Sequence, residues 1–373
     1  ERVIMAYHTT PYLLLFLLAA LLFYQITPAK WRSYTLLIFS YLFFWSFSEK
    51  LIIYLIGTTF LTHHICIWMD TMDKRDKRKK RVFQLGILLL LGTILCLKYR
   101  NFFFGNVSKL AMLLHIDWSY RDQLIFLPIG ISFYTLSAIG YMTDVYWGKV
   151  KAEYSLVKTA LFLGFFPIIV EGPICRWEDV ESTLFKNESV KAANVFKGCY
   201  RIIWGLFKKM IIADRLAVLV DKVYVGYESY SGAVIVAAAI SYTIQLYMEF
   251  SGCMDMVIGS AGLFGIRLPE NFSQPFFAKT CTDFWKRWHI TLGVWFKNYI
   301  FYPVSISKTA RKWNKFTRKH FKGDFGKYVA RMGIAAMALF PVWISNGLWH
   351  GPKWNYIFYG LYYFGLIFMG LAL

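Results

Sequence analysis

The sequence predicts an all-α integral membrane protein, built from helices that cross a bilayer or re-enter it. Hydrophobic residues make up 57% of the 373 residues and charged residues only 17%, whereas a soluble chain carries nearer a quarter charged residues. The apolar residues form blocks long enough to span roughly 30 Å of hydrocarbon, which takes about 20 residues as a helix. The alternating pattern of a membrane barrel is absent, and backbone groups in lipid must be satisfied internally, so these blocks are predicted to be helices.

Ten apolar blocks follow one another along the chain, and each is a candidate span. Residues 1–170 form simple apolar stretches with short connections, whereas from Glu171 onward Gly, Pro and charged residues interrupt them. Such residues are costly at membrane depth and are tolerated where they line a cavity. The last block ends without a polar tail, which is compatible with a natural protein that continues further. The blocks are residues 11–26, 33–47, 50–68, 82–97, 124–145, 156–170, 195–220, 233–248, 328–344 and 355–373.

The formal net charge of +20 is concentrated in two basic runs, residues 70–81 and 308–322, with seven Lys or Arg in each. Basic runs between apolar spans mark cytoplasmic loops. Anionic membrane lipids could bind either run, and a phosphate-rich donor or an acidic carrier protein could bind the second. Nucleic acid is not an expected partner, because these loops are held against the bilayer. The six cysteines are scattered without a CxxC pair, so neither a metal site nor a disulfide framework is predicted.

His350 is the first candidate for chemistry. It follows a wholly apolar stretch, so it is predicted to lie at membrane depth, and Gly347, Gly351 and Pro352 around it break the helix and let a ligand approach. A neutral imidazole can take the proton of a hydroxyl as that oxygen attacks an acyl carbon. His350 is therefore predicted to act as a general base, although a core histidine is the alternative.

Two neighbours of His350 join it in the predicted site. Asn346 precedes His350 by one helical turn and could orient it or donate a hydrogen bond to a tetrahedral oxyanion. Trp349 is predicted to line the same substrate path.

A second polar group lies in the segment DFWKRWH, residues 283–289. On a helix, Asp283 and Arg287 are four residues apart and can pair, while Trp285 and His289 share a neighbouring face. The aromatic residues suit an interfacial or re-entrant helix. The segment can contribute to a site, in which case His289, Asp283, Arg287 and Trp288 are the candidate residues. An interfacial helix with an incidental histidine is the alternative.

Glu249 and Asp255 flank Gly252, where the glycine predicts a helix break. They could line the cavity or bind an acceptor, but we favour ion pairs with Lys or Arg of a neighbouring helix. The motifs GxSxG, GxGxxG and the P-loop are absent, so the chain offers a base without a protein nucleophile. This combination favours direct transfer of an acyl group from an activated donor to a hydroxyl.

Two other kinds of protein are compatible with buried polar residues. A proton-coupled transporter could use the histidines and carboxylates as a relay, although transporters more often show an internal repeat, which is not evident here. A structural scaffold that recruits a soluble acyltransferase is the other alternative.

Five segments resemble the membrane-bound O-acyltransferases, and in particular the bacterial branch that modifies exported polysaccharides. The most specific are RWHITL around His289 and LWHGPKW around His350, whose histidines lie 61 residues apart. The five segments cover most of residues 125–360 and comprise residues 131–150, 160–177, 250–272, 283–301 and 346–360.

The resemblance implies a single membrane domain over residues 1–373, with N-terminal spans in 1–123 and the catalytic core in 124–373. About ten or eleven transmembrane and re-entrant helices would form a ring around a central funnel, and the tunnel would hold His350 as the catalytic histidine. His289 corresponds to the second histidine of the family, which is often Asn or Asp in other members, and would position the donor or acceptor.

The resemblance also implies a reaction and a location. A cytoplasmic thioester, either acetyl-CoA or an acyl carrier protein, would donate an acyl group, and no tightly bound cofactor is expected. The acceptor would be a hydroxyl of a cell-envelope or exported polysaccharide, reached with an extracytoplasmic SGNH-type acyltransferase as partner. The expected location is the bacterial cytoplasmic membrane, crossed several times.

One departure from the pattern of the family leaves the acyl donor open between an acetyl-CoA-like thioester and an aminoacyl carrier protein. The alginate-modifying members usually have a proline followed by a Gly-Gly-Asn-Arg turn here, whereas residues 303–307 read PVSIS. The resemblance implies that this region faces the cytoplasmic donor. Segments 141–150 and 265–272 nevertheless resemble the O-acetylating members, which favours acetyl transfer. D-alanyl transfer to teichoic acid from an aminoacyl carrier protein is the alternative.

Overall fold

The computed structural model describes residues 5–73 and 75–372, and the regular secondary structure of these residues is helical. The predicted all-α class is confirmed. The chain divides into two compact units, the first comprising residues 1–79 and 128–272 and the second residues 80–127 and 273–373.

The first unit contains nine of the α-helices that the structure describes. Its helices are α1 (Leu17–Ile26), α2 (Arg32–Ser48), α3 (Ile52–Asp70), α6 (Ile131–Trp147), α7 (Leu156–Gly164), α8 (Trp177–Leu184), α9 (Ala192–Leu206), α10 (Asp214–Val225) and α11 (Gly232–Leu263). Between α3 and α6 the chain forms α4 (Lys77–Ile94) and α5 (Arg100–Leu113), which belong mainly to the second unit. Wider π-helical turns precede α1 at Pro11–Phe16 and join α9 to α10 at Phe207–Ala213.

The second unit contains α4 and α5, joined by a π-helical segment at Leu95–Tyr99, and the C-terminal helices. Because α16 and α17 are separated by only three residues, they form a hairpin, and a Cβ on Gly347 or Gly360 would collide with a backbone carbonyl of the opposite helix. The C-terminal helices are α12 (Cys281–Arg287), α13 (Ile290–Phe296), α14 (Tyr302–Ser305), α15 (Lys308–His320), α16 (Gly323–His350) and α17 (Trp354–Ala372).

Five helical segments of the described residues are long and apolar enough to cross a membrane. The predicted ring of ten or eleven helices around a funnel stays a prediction. Large apolar side chains are exposed along these segments, Leu88 and Ile53 among them, as lipid-facing helices require. The segments are Ala29–Asp70, Lys77–Leu113, Gly232–Leu263, Gly323–His350 and Trp354–Ala372.

Two predicted spans are wrong in extent. The block 124–145 is helical only from Ile131, and the helix in block 156–170 ends at Gly164. Proline and glycine explain both differences, because the residue before a proline is pushed out of the helical region. Pro128 precedes α6, and Gly130, the residue directly before this helix, adopts a left-handed conformation at φ 76°. Pro167 follows the end of α7.

The predicted helix break at Gly252 is also wrong, because α11 continues without interruption from Gly232 to Leu263. The glycine serves close packing between α9 and α11. A Cβ on Gly252 would lie 2.8 Å from the carbonyl oxygen of Gly205, and a Cβ on Gly259 would lie 2.8 Å from that of Gly198. Small residues let two helix backbones approach closely in membrane proteins.

This packing predicts a position-specific effect of adding one methyl group to α11. Gly259→Ala is expected to destabilise the protein by about 1–3 kcal/mol, because the methyl group overpacks the contact with α9. Gly262→Ala is the matched control on the same helix, since a Cβ there meets nothing within 4 Å. Thermal unfolding of both variants in detergent measures the difference, and equal melting temperatures would contradict the close approach.

Candidate active site

A cavity of about 370 Å³ lies in the second unit, between the 282–301 segment and helices α16 and α17. Its size is typical of a small-molecule site, in which a few polar groups stand among apolar walls. The polar or charged lining residues of the described chain are Thr282, Lys286, His289, Lys297 and Asn346, and no Asp or Glu is among them.

His289 reaches this cavity through an unusual backbone conformation. Helix α12 ends at Arg287, and His289 begins α13 with φ 45° and ψ 52°. The predicted common helical face of Trp285 and His289 is therefore wrong. Left-handed backbone is uncommon outside glycine and clusters at functional sites. The turn directs the imidazole inward, where only 5% of the residue is exposed.

Burial determines the charge of His289. Together with the neighbouring His350, it lowers the pKa of the His289 imidazole to about 3. The ring is therefore neutral at physiological pH, and each of its nitrogens can either donate or accept a hydrogen bond according to the tautomer.

The pair predicted within α12 is present. Arg287 Nε donates to Asp283 Oδ1 at 3.0 Å, and this bond lowers the pKa of the Asp283 carboxyl. Neither side chain lines the cavity, whereas Trp288 does. The pair supports the short helix that precedes His289, and a direct role in a substrate path stays a prediction for Asp283 and Arg287.

His350 is the last residue of α16, and the helix ends there as predicted, although Gly347 remains within it. The imidazole packs against aromatic rings, with centroid distances of 6.1 Å to Tyr356 and 5.7 Å to Tyr359. The residue is nevertheless exposed and does not line the 370 Å³ cavity. A tunnel around His350 stays a prediction.

Trp349 connects the two histidines. Its indole makes edge contacts with both imidazoles, at centroid distances of 5.7 Å to His289 and 5.1 Å to His350. The fold thus places His289 and His350, which lie 61 positions apart in the sequence, against the same indole ring. The catalytic roles predicted for His289 and His350, and the substrate path predicted for Trp349, stay predictions.

Two buried polar atoms of the cavity walls lack a hydrogen-bond partner in the described structure. They are Oδ1 of Asn346, whose residue is only 7% exposed, and Nε1 of Trp285. A buried unsatisfied polar atom costs about 1–3 kcal/mol. Since one atom accepts and the other donates, a ligand with a carbonyl and an N–H or O–H group could satisfy both.

Glu249 and Asp255 belong to the first unit, where both are paired. Asp255 accepts from Arg201 at 3.0 Å and from Lys208 at 2.6 Å, and Glu249 lies 2.6 Å from Lys209. The favoured interpretation, ion pairs between neighbouring helices, agrees with this geometry. The pairs hold α9 and the following π-helical turn against α11.

Sequence reasoning missed four residues near the site: Lys98, Tyr99, Tyr356 and Tyr359. The side chains of Lys98 and Tyr99 reach the last turn of α16. A lysine with apolar residues on both sides, as in LCLKYRNFFF, was the available signal, but it coincided with the predicted end of a span. Nothing in the sequence relates it to His350.

Comparison with known proteins assigns the chain to a family. Over 359 residues it is 31% identical to a probable alginate O-acetylase of Pseudomonas putida, with 96% of this chain and 69% of that protein aligned. The chain belongs to the membrane-bound O-acyltransferase family. The model of this family matches residues 149–319, a range that contains His289 and ends before His350. The predicted family is confirmed.

Two further relatives act on different polymers according to their names. A peptidoglycan O-acetyltransferase of Helicobacter pylori is 29% identical, with 87% of this chain and 62% of that protein aligned. A teichoic acid D-alanyltransferase of Bacillus subtilis is 29% identical, with 63% and 56% aligned. The chain thus spans between 56% and 69% of the length of these three relatives. Family membership and the apolar helices make it a multi-pass membrane protein of the O-acyltransferase class.

The unsatisfied Oδ1 atom of Asn346 predicts that stability and activity respond in opposite directions to its removal. Asn346→Leu is expected to raise the melting temperature, since it removes a buried unpaired polar group, and to lower acyl transfer. Asn271→Leu is the matched control, because the amide of the fully buried Asn271 is hydrogen-bonded to Met254, and its loss should lower the melting temperature. Thermal unfolding in detergent decides, and a destabilised Asn346→Leu protein would contradict the unpaired state.

Proposed function

We propose that the protein transfers an acyl group, acetyl in preference to D-alanyl, from a cytoplasmic thioester to a hydroxyl of a cell-envelope or exported polysaccharide. One observation carries the proposal: two histidines contact the same indole beside an apolar cavity with unsatisfied polar atoms. The names of the relatives, which include O-acetylating proteins of alginate and peptidoglycan, support the class of acceptor.

In the proposed reaction, the acceptor oxygen attacks the thioester carbonyl carbon while His350 takes the hydroxyl proton. The C–S bond then breaks, and the leaving thiolate receives that proton from His350, so that an ester and a thiol are formed. The neutral His289 and the amide of Asn346 would position the thioester and donate hydrogen bonds to the tetrahedral oxyanion. No acyl-enzyme intermediate is required.

The charge of the cavity favours acetyl over D-alanyl. A D-alanyl group carries an ammonium, and burying an unpaired charge is costly. The described lining contains Lys286 and Lys297 and no carboxylate, so an ammonium would meet only like charges. The acetyl group is small, neutral and apolar apart from its carbonyl, and it suits these walls.

The second basic run supports a cytoplasmic donor. It forms α15, whose Ala310 and Thr317 are buried while its basic residues are largely exposed. Such an amphipathic helix suits the interface with anionic lipids, and its charge would attract the phosphates of acetyl-CoA or the acidic face of a carrier protein. In the proposal, a ring of helices provides the tunnel by which the acyl group passes across the bacterial cytoplasmic membrane to an SGNH-type partner or directly to the polysaccharide.

Removing the proposed base tests the function. His350→Ala is expected to lower acyl transfer by about 10²- to 10⁴-fold, the usual contribution of a general base. His64→Ala is the matched control, because this exposed histidine on α3 lies 2.8 Å from the carbonyl oxygen of Phe60 on its own helix and has no part in the proposed site. The measurement is the amount of radiolabel that membranes containing each variant transfer from labelled acetyl-CoA to polysaccharide. Full activity of His350→Ala would exclude this mechanism and favour a transporter or a scaffold.

The acyl group itself can be identified from the product. We expect mild base to release acetate from the surface polysaccharide of cells that express the protein, and not from cells that express His350→Ala. Mass spectrometry of the released acids measures this. Release of D-alanine in its place would contradict the assignment made from the cavity charge.

A further inference from the structure

A lysine lies near the middle of a candidate membrane span. Lys98 belongs to the continuous helix from Lys77 to Leu113, within the π-helical segment Leu95–Tyr99 that joins α4 to α5. Charged residues at such positions are costly and usually functional, and short π-helical segments often occur at functional sites. Both features make Lys98 a candidate functional residue, and its contacts indicate the role.

Lys98 and Tyr99 both donate hydrogen bonds to the last turn of α16. The ammonium of Lys98 lies 2.5 Å from the carbonyl oxygen of Trp349, and the hydroxyl of Tyr99 donates to the carbonyl of Leu348. The last four carbonyls of a helix have no partner within the helix, and a cation there also interacts favourably with the helix dipole. The two side chains therefore cap the end of α16.

The capped peptide is directly attached to the candidate base. The carbonyl of Trp349 forms the amide bond with His350, and Trp349 also carries the indole between the two imidazoles. In an α-helix, consecutive side chains diverge by about 100°. The wider π-helical turn brings adjacent side chains closer in direction, which lets Lys98 and Tyr99 reach two consecutive carbonyls of one helix end.

The same helix also holds the chain on the other side of the break at residues 351–353. Trp354, the first residue of α17, donates from Nε1 to Asn106 Oδ1 at 2.9 Å, and its ring packs on Phe102 at a centroid distance of 5.7 Å. Lys98, Phe102 and Asn106 are spaced at intervals of four, so they share one face of the helix. This face fixes both helix ends that border His350.

We propose that Lys98 and Tyr99 are positioning residues, which hold the last turn of α16 so that Trp349 and His350 keep the orientation needed for acyl transfer. The inference rests on the proposed function, because it assigns these residues to the alignment of the same base. Neither residue is required to touch the substrate. Loss of alignment, rather than loss of donor binding, is the expected consequence of their removal.

The test compares side chains of similar length at position 98. Lys98→Met removes the ammonium and is expected to lower kcat roughly 10- to 100-fold, the effect of a small misplacement of a reacting group, with KM for acetyl-CoA unchanged. Lys98→Arg should restore most of kcat, because a guanidinium can donate to the same carbonyl. Lys109→Met is the matched control, since Lys109 is an exposed lysine on α5. The parameters are measured on purified, monodisperse protein in detergent.

Two outcomes separate this inference from the proposed function. Wild-type kcat in Lys98→Met together with an inactive His350→Ala overturns the positioning role and leaves the function intact. Wild-type activity in both variants overturns the function itself. An equal loss of kcat in Lys98→Met and Lys98→Arg also overturns the positioning role. If Lys98→Met does not fold, Tyr99→Phe decides alone, because a lower kcat at unchanged KM supports the role and an unchanged kcat overturns it.

Discussion

The candidate site depends on one constraint: a helix that ends inside apolar surroundings must have its last carbonyls satisfied. Helix α16 ends at His350, and hydrocarbon holds no water that could donate hydrogen bonds to the last carbonyl groups of a helix. Lys98 and Tyr99 supply donors to two of those carbonyls. The helix can therefore stop at His350, and the three following residues lead directly into α17.

Much of the fold follows from the sequence because hydrophobicity and length decide which segments become long apolar helices. The helix at 354–372 corresponds closely to the predicted block 355–373, and the helix at 323–350 contains the predicted block 328–344 and extends beyond both of its ends. Hydropathy does not predict where a helix ends or breaks when the backbone conformation of one residue determines it. Gly252 looks like a helix breaker in isolation, yet it serves a close helix contact, because the partner Gly205 lies 47 residues earlier in the chain. Pro128 and Pro167 shorten two other blocks whose composition alone favours longer helices.

The sequence singles out candidate residues for the site but not their arrangement. His289, Trp349, His350 and Asn346 stand out as polar or aromatic side chains in glycine-containing motifs, and three of them form one cluster of rings. The role of Lys98 could not be predicted, because its partner is 251 residues away. The exposure of His350 outside the cavity was likewise not predictable, since it depends on how Tyr356 and Tyr359 pack around the imidazole.

The left-handed backbone of His289 also limits which amino acids can occupy that position. Asn, Asp and His tolerate this conformation far better than β-branched or bulky residues do. In other members of the family the second histidine is often Asn or Asp. The left-handed backbone at position 289 already favours these amino acids. A saturation library at position 289 should therefore lose Val and Ile through misfolding, while Asn retains the turn and isolates the contribution of the imidazole ring.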